Sequence, residues 1–480
     1  MNDLISNLQP NDIKSIKQAW SSSSSPLIRV GTVCSGTDAP ILALKQLLSA
    51  LNLNHDNDDA FTKMEMEHVF SCENVKFKRD FIQQTTNPPL IFNDLFELAT
   101  SLEGVCHDGS TNHIPTNDDL HILIAGTECK DFSSLSSSRK GINDNGKSGN
   151  TFWATHTLVK KLKPCIIILE NVAQCPSKEM ELAFEDIGYT AMHTKVCTSD
   201  YYLPQSRSRA YFVFLNNDKA RFRASFATDD WIETMGRLAQ KKGDVITSWT
   251  TYLDRNSNSP MPKKQSKKKA GGRGKPLCES LESAWLAEIK AIETKEGLTP
   301  YDNAGGRPYS DATKSVAAIA SLPDRAKMRL DVQCKRAMKA GVDPFKVPLI
   351  WNPAQQLRYT HTGIDNDGKP RMITPCVTPK HEWIVSSRMG PVTGAEALAL
   401  QGLHVAKKVS SQFTCEQLRD LAGNAMSMTV VAAVFIATFL TTELIVDDNT
   451  SLKKRKPSRS AASVGSSITT EQRMKKRSRV

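Results

Sequence analysis

Pairs of closely spaced cysteines are missing from this chain. Its eleven cysteines, at 34, 72, 106, 129, 165, 175, 197, 278, 334, 376 and 415, include no CxxC. That absence argues against a zinc ribbon and offers no disulfide framework, so free thiols in a reducing compartment and no metal are expected. The opening stretch MNDLISNLQPNDIKS carries acids and lacks an apolar core, so it reads as neither a secretory signal nor a transit peptide. Membrane spans need roughly 20 apolar residues. The apolar run MTVVAAVFIATFL (428–440) is shorter than that and is flanked by Asn424, Ser427 and Glu443, so it reads as a buried helix and no membrane contact is expected. Internal repeats are also missing, and low complexity is confined to SSSSS (21–25), DNDD (56–59) and basic runs.

What is present is a globular composition: 480 residues, 39% of them hydrophobic, enough for one large core or two ordinary ones. The net charge of +11 is unevenly spread. Residues 451–480 carry +9 and KKQSKKKAGGRGK (263–275) carries +7, so the remainder is net acidic at −5. The tail pairs KKRK (453–456) with RMKKRSR (473–479) in a Ser-rich setting, which reads as a disordered, bipartite nuclear-import address for an import receptor. The folded part is therefore not simply a basic binding block.

Short β-branched runs alternate with helical patterns: IRVGTVC (28–34), EHVFSCE (67–73), HILIAG (121–126), CIIILENV (165–172) and AYFVFL (210–215). This is the signature of a doubly wound α/β sheet. After the first run, DAPILALKQLLSAL offers Asp38 as an N-cap, Pro40 in the first turn and leucines at helical spacing. From about 217 to 380 the alternation gives way to Gly, Pro, Lys and Asn, which predicts a second, irregular domain. In such sheets ligands collect beyond the carboxyl ends of the strands. Gly36 follows the first strand at the start of a helix, Cys129 follows HILIAG, and Glu170 ends IILENV. A thiol and a carboxylate at neighbouring strand ends are a nucleophile with an acid partner, the constellation that covalent catalysis requires.

With their neighbours, these residues resemble the C5-cytosine DNA methyltransferase family, from about Ile28 to Leu215 and again from about Arg388 to Leu440. The elements come in order: CSGT with Ser35, Gly36 and Thr37; SCEN with Glu73; NDLF with Asp94; ECKDFSSL with Cys129; LENV with Glu170 and Asn171. QSRSR follows with Gln205, Arg207 and Arg209, then RMGPVTGAEALALQG and AGNAMS with Gly423 and Asn424. Each alone is a weak pattern, and the series is specific.

The resemblance implies a Rossmann-like S-adenosylmethionine-dependent methyltransferase sheet and a duplex DNA substrate. Cys129 would add to C6 of a flipped-out cytosine, and Glu170 would hold the ring at N3 and its exocyclic amine. Arg207 would contact the base carbonyl or hold the cysteine loop, supported by Arg209, Gln205, Asn171 and Gly423. Ser35, Gly36, Thr37 and Asn424 would surround the methionine part of the cofactor, Glu73 the ribose hydroxyls and Asp94 the adenine amine; for the two carboxylates a helix cap or a turn is the competing reading. The implied boundaries are a disordered segment 1–26, a catalytic domain of 27–216 and 386–446, a target-recognition domain of 217–385 and a disordered basic tail 447–480.

Two departures stand out. Family members usually place Pro before the catalytic cysteine, and here it is Glu128, a carboxylate that would raise the thiol pKa while Lys130 offsets it. The usual aromatic-x-Gly-x-Gly start is replaced by Cys34-Ser35-Gly36-Thr37-Asp38. Three readings stay open: an active DNA methyltransferase, a transfer-RNA cytosine methyltransferase, whose usual Cys-Phe-Thr signature is not found here, and a catalytically silent regulator that binds DNA or protein.

Overall fold

The computed structural model describes residues 1–21, 27–53, 63–115, 120–133, 138–241, 247–254, 279–357 and 363–445. The basic insert 263–275 and the tail 447–480 lie outside the described residues, and so do the readings placed on them. Residues up to Leu444 form one compact unit.

Its centre is a seven-stranded sheet. Counting only the strands of that sheet, they are β1 (Leu27–Val33), β2 (Glu65–Cys72), β3 (Ile91–Phe92), β4 (Ile122–Gly126), β5 (Ile166–Val172), β6 (Tyr189–Cys197) and β7 (Ser208–Asn216), in the order β3-β2-β1-β4-β5-β7-β6. The first five pair in parallel, and β7 runs antiparallel to both β5 and β6. The five apolar runs of the sequence are β1, β2, β4, β5 and β7, as an α/β sheet requires. β4 and β5 are buried almost throughout because helices cover both faces. The order reverses between β1 and β4, so a crevice opens beyond their carboxyl ends. The loops after β1, β2, β4 and β5 all meet there.

Three expectations need correction. Residues 1–26 are not simply disordered, because Asn2–Ser6 and Pro10–Ser21 are helices. Leu4, Ile5, Leu8, Ile13, Ile16 and Trp20 recur at helical spacing and are buried in the main core. Trp20 packs on Phe439 with tilted rings, centroids 4.5 Å apart, and its Nε1 donates to the Phe439 carbonyl at 3.1 Å. The described residues of 217–385 are not irregular either: helices Glu279–Glu296 and Asp324–Lys339 build a helical lobe in which Ile289 of the first packs with Met328 and Val332 of the second, and Leu330 and Cys334 pack with Tyr309 and Trp351. The segment's expected edges shift as well. Ala220–Phe222 pairs with Thr442–Leu444 and helix Thr228–Leu238 packs on Met428–Thr441, while Ile384–Val385 pairs with Gly390–Pro391 across the expected boundary at 385/386.

The apolar stretch forms helix Met428–Thr441, with all fourteen residues buried. It packs against helices Ala39–Leu53, Thr228–Leu238 and Pro10–Ser21. By length and composition Cys415–Thr441 could cross a membrane, but 89% of its most apolar window is buried inside this protein.

Candidate active site

The crevice holds a cavity of about 180 Å³ lined by Gly36, Glu73, Asp94, Cys129, Glu170, Arg207, Arg209, Gly423 and Asn424. Cys129, Glu170, the two arginines and four of the expected cofactor residues, Gly36, Glu73, Asp94 and Asn424, which span nearly 400 positions of sequence, therefore face one space.

Cys129 is half-buried on the loop after β4. Burial pushes its thiol up to about 11; Glu170 and, less strongly, Glu128 add to the rise, while Arg209 and Arg207 oppose it. Glu128 does act in the expected direction, but it ranks behind burial and Glu170. Its carboxylate also has partners, accepting from the Lys130 backbone N–H at 3.3 Å and from Lys130 Nζ at 3.4 Å.

Glu170 sits at the end of β5, buried, with Oε1 2.9 Å from Arg209 Nε. That ion pair lies outside hydrogen-bond geometry, so Oε1 keeps its acceptor capacity. Register sets the pair up: Val172 faces Arg209 across β5 and β7, one pleat from Glu170. Behind Glu170, Asn171 donates to Thr127 Oγ1 at 3.0 Å and accepts from the Val172 N–H at 2.8 Å, tying the strand end to the cysteine loop.

Arg207 does not hold the cysteine loop. Its Nη1 donates to the carbonyls of Val377 (3.0 Å) and Gly423 (3.2 Å), and its Nη2 to that of Ala425 (3.0 Å). It clamps a strap, residues 374–379, onto the Gly423–Ala425 turn, while its buried Nε has no hydrogen-bond partner among the described residues. Gln205 works beside it, accepting from the Val377 N–H at 2.9 Å and donating to Gln401 Oε1 and the Leu400 carbonyl. Gly423 is under a hard constraint, since a Cβ there would lie 2.0 Å from Pro379 N.

At the other end of the cavity, Glu73 accepts from the backbone N–H groups of Gly36 (2.9 Å) and Val75 (3.0 Å). Ser35 is bound to the end of β2 through Cys72. Thr37 lines a neighbouring void of about 20 Å³ with Asn424, its buried Oγ1 unpartnered among the described residues. Asn424 donates to Asp420. Asp94 caps helix Leu95–Ser101 by accepting from the Phe96 N–H at 2.6 Å, so the helix-cap reading holds for it while it also lines the cavity.

The sequence reading of Asp38 as an N-cap needs correction. Its carbonyl accepts from Leu42 N–H as an N-cap residue's does, but its side chain points away from the helix into a buried cluster of hydroxyls. Sequence reasoning also missed Phe96 and Lys78, which line the same cavity. Phe96 is 50% exposed, a large apolar ring beside two carboxylates, and its place in NDLF was the available signal. Lys78 pairs with Asp420 at 3.1 Å from a different helix, which no local pattern reveals.

Over residues 57–439 this chain matches the family described as C-5 cytosine-specific DNA methylase. The chain belongs to that family. It is 32% identical over 417 residues to the DNA (cytosine-5-)-methyltransferase DMT5 of Cryptococcus neoformans, covering 85% of this chain and 17% of that protein. The Verticillium dahliae DMT5 is 26% identical, covering 84% of this chain and 19% of its own length. The Type II methyltransferase M.SsoII of Shigella sonnei is 29% identical over 264 residues, 53% of this chain and 68% of that protein. The chain thus spans less than a fifth of the two DMT5 proteins it matches.

Proposed function

We propose that this chain is the catalytic region of a DNA (cytosine-5-)-methyltransferase that uses S-adenosylmethionine. The observation that carries this reading is the single cavity shared by Cys129 and Glu170 at one end and Gly36, Glu73 and Asp94 at the other. A nucleophile alone would suit many reactions; a nucleophile in one cavity with two carboxylates placed for a nucleoside suits group transfer to a base.

The residues fit the cofactor. Glu73 is a buried carboxylate at the end of the strand after the Gly36 loop, the usual place for a ribose partner, and Phe96 offers an exposed ring face near Asp94 for a purine. When bound, S-adenosylmethionine supplies an electrophilic methyl group. The work of this chain is to make cytosine nucleophilic. The Cys129 thiolate forms a bond to C6, electron density moves toward C5 and N3, and Glu170 at N3 and the exocyclic amine stabilises it. Arg209 holds Glu170 in place. Loss of the C5 proton and departure of Cys129 restore the aromatic ring. The target must leave the duplex for these atoms to be reached, and the helical lobe within residues 279–357 is proposed as the surface that reads its surroundings.

Incubation with labelled S-adenosylmethionine and either duplex DNA or RNA tests the reading. Label in DNA alone supports it; label in RNA would favour the transfer-RNA activity, and none in either a silent regulator. A nuclear location, reached through an import receptor, is proposed from the clusters KKRK (453–456) and RMKKRSR (473–479). Residues 451–480 fused to a reporter should accumulate in nuclei, and alanine in both clusters should abolish this.

A further inference from the structure

Three residues in five adopt left-handed backbone conformations in the loop after β1: Cys34 (φ 50°), Gly36 (φ 57°) and Asp38 (φ 51°). Only Gly36 is free of the Cβ penalty. A conformation of this kind persists where its surroundings over-determine it, and at Asp38 they do. The residue is fully buried. Its Oδ1 accepts from Thr32 Oγ1 at 2.8 Å, and its Oδ2 from Ser71 Oγ at 2.6 Å and Thr86 Oγ1 at 3.0 Å. The three donors come from β1, β2 and the end of helix Lys76–Thr85, so one carboxylate ties three elements to the loop. Thr32 Oγ1 also lies 2.6 Å from Ser35 Oγ, which in turn bonds the Cys72 backbone. The loop these bonds fix presents Gly36 and Thr37 to the cavities, with the Gly36 N–H held on Glu73.

We infer that Asp38 is a positioning residue for the cofactor: its hydroxyl-bound carboxylate latches the loop in the left-handed form that shapes the methionine end of the site. The inference rests on the S-adenosylmethionine reading proposed above. Asp38 lies beneath the loop and works through Ser35, Gly36 and Thr37. Its loss therefore weakens cofactor binding and leaves the chemical step at Cys129 unaffected.

The test compares Asp38→Ala, Asp38→Gly and Thr86→Val with wild type. S-adenosylmethionine binding is measured by calorimetry, KM and kcat by methyl transfer, and amide hydrogen exchange in residues 34–38 without cofactor. Asp38→Gly is the decisive variant, because glycine adopts the left-handed backbone without a Cβ penalty, so its effect is not that of a strained side chain. Both Asp38 variants should bind S-adenosylmethionine roughly tenfold more weakly, with KM raised and kcat at saturation unchanged. Thr86→Val, which deletes one donor at a residue lining neither cavity, should weaken binding about threefold and carries the test where an Asp38 variant does not fold. In every variant the loop amides should exchange faster. Wild-type affinity and protection in Asp38→Gly, or in Thr86→Val where that variant must serve, would overturn the latch. If wild type itself fails to bind S-adenosylmethionine, the cofactor reading falls, and the exchange measurement still decides the latch: faster exchange in the variants supports it, unchanged exchange sinks it.

Discussion

At the scale of single residues, the chemistry turns on a thiol that its surroundings keep protonated. Burial and Glu170 push Cys129 up to about 11, so the thiolate fraction is small at neutral pH and rises with pH until that value is passed. Methyl transfer should therefore quicken as pH rises from 7 to 9 under single-turnover conditions, and a flat profile would show that thiolate formation does not limit the rate. Glu128→Gln removes one of the smaller contributions, one already partly satisfied by Lys130. It should shift the profile to lower pH by roughly half a unit or less; a larger shift would mean that Lys130 leaves Glu128 when DNA binds. Cys129→Ser should abolish transfer, and 5-fluorocytosine DNA should trap wild type as a covalent adduct and leave the serine variant free. Most residues at this scale were legible, because Cys129, Glu170, Glu73 and Gly36 each stand just past an apolar run. Asp38 was misread because its partners Ser71 and Thr86 lie 33 and 48 positions away, and only the fold brings them within hydrogen-bond reach.

At the scale of elements, the runs that became β1, β2, β4, β5 and β7 were visible because strands covered on both faces are apolar throughout. β3 is two residues long and β6 is a partly exposed edge strand, so neither offers such a run. The strap at 374–379 had no local signal at all, and its role comes from Arg207, Gln205 and Gly423 gripping it. Gly423→Ala would drive a methyl group against Pro379 and should cost about 1–3 kcal/mol or more in denaturant unfolding, together with most of the activity, because the Asn424 turn must move. A second weakness lies at the end of the strap. His381 donates through Nδ1 to the Thr378 carbonyl at 2.6 Å, its Nε2 is buried without a partner among the described residues, and burial lowers its pKa to about 4. The unfolded chain takes up a proton near the ordinary value of 6.5, before the folded one can, so stability present above pH 6.5 is lost as pH falls toward 4. That loss should reach about 3 kcal/mol at pH 4. His381→Gln, which does not titrate, should show a correspondingly flatter stability curve between pH 6.5 and 4.

At the scale of the whole molecule, the question is what covers the most apolar helix of the chain. Met428–Thr441 is buried on every side, with only small or apolar residues and three threonines to offer its neighbours, and helix Pro10–Ser21 forms one of its walls. Amides, lysines and one acid between the apolar positions 4, 5, 8, 13, 16 and 20 hide their spacing in composition, which is why residues 1–26 read as disordered although helices Asn2–Ser6 and Pro10–Ser21 complete the core. The contact can be tested directly. Trp20 is 3% exposed, packs against Phe439 and bonds its carbonyl, so Trp20→Ala empties a large volume and strands a carbonyl in an apolar setting. It should destabilise by about 3–5 kcal/mol in denaturant unfolding, and deletion of residues 1–21 should expose the helix and drive aggregation. Trp20→Phe keeps most of the volume and loses the hydrogen bond, so it should cost about 1–2 kcal/mol. If Trp20→Ala unfolds at the wild-type denaturant concentration, the N-terminal helices are peripheral and the apolar helix is held by helices Ala39–Leu53 and Thr228–Leu238 alone.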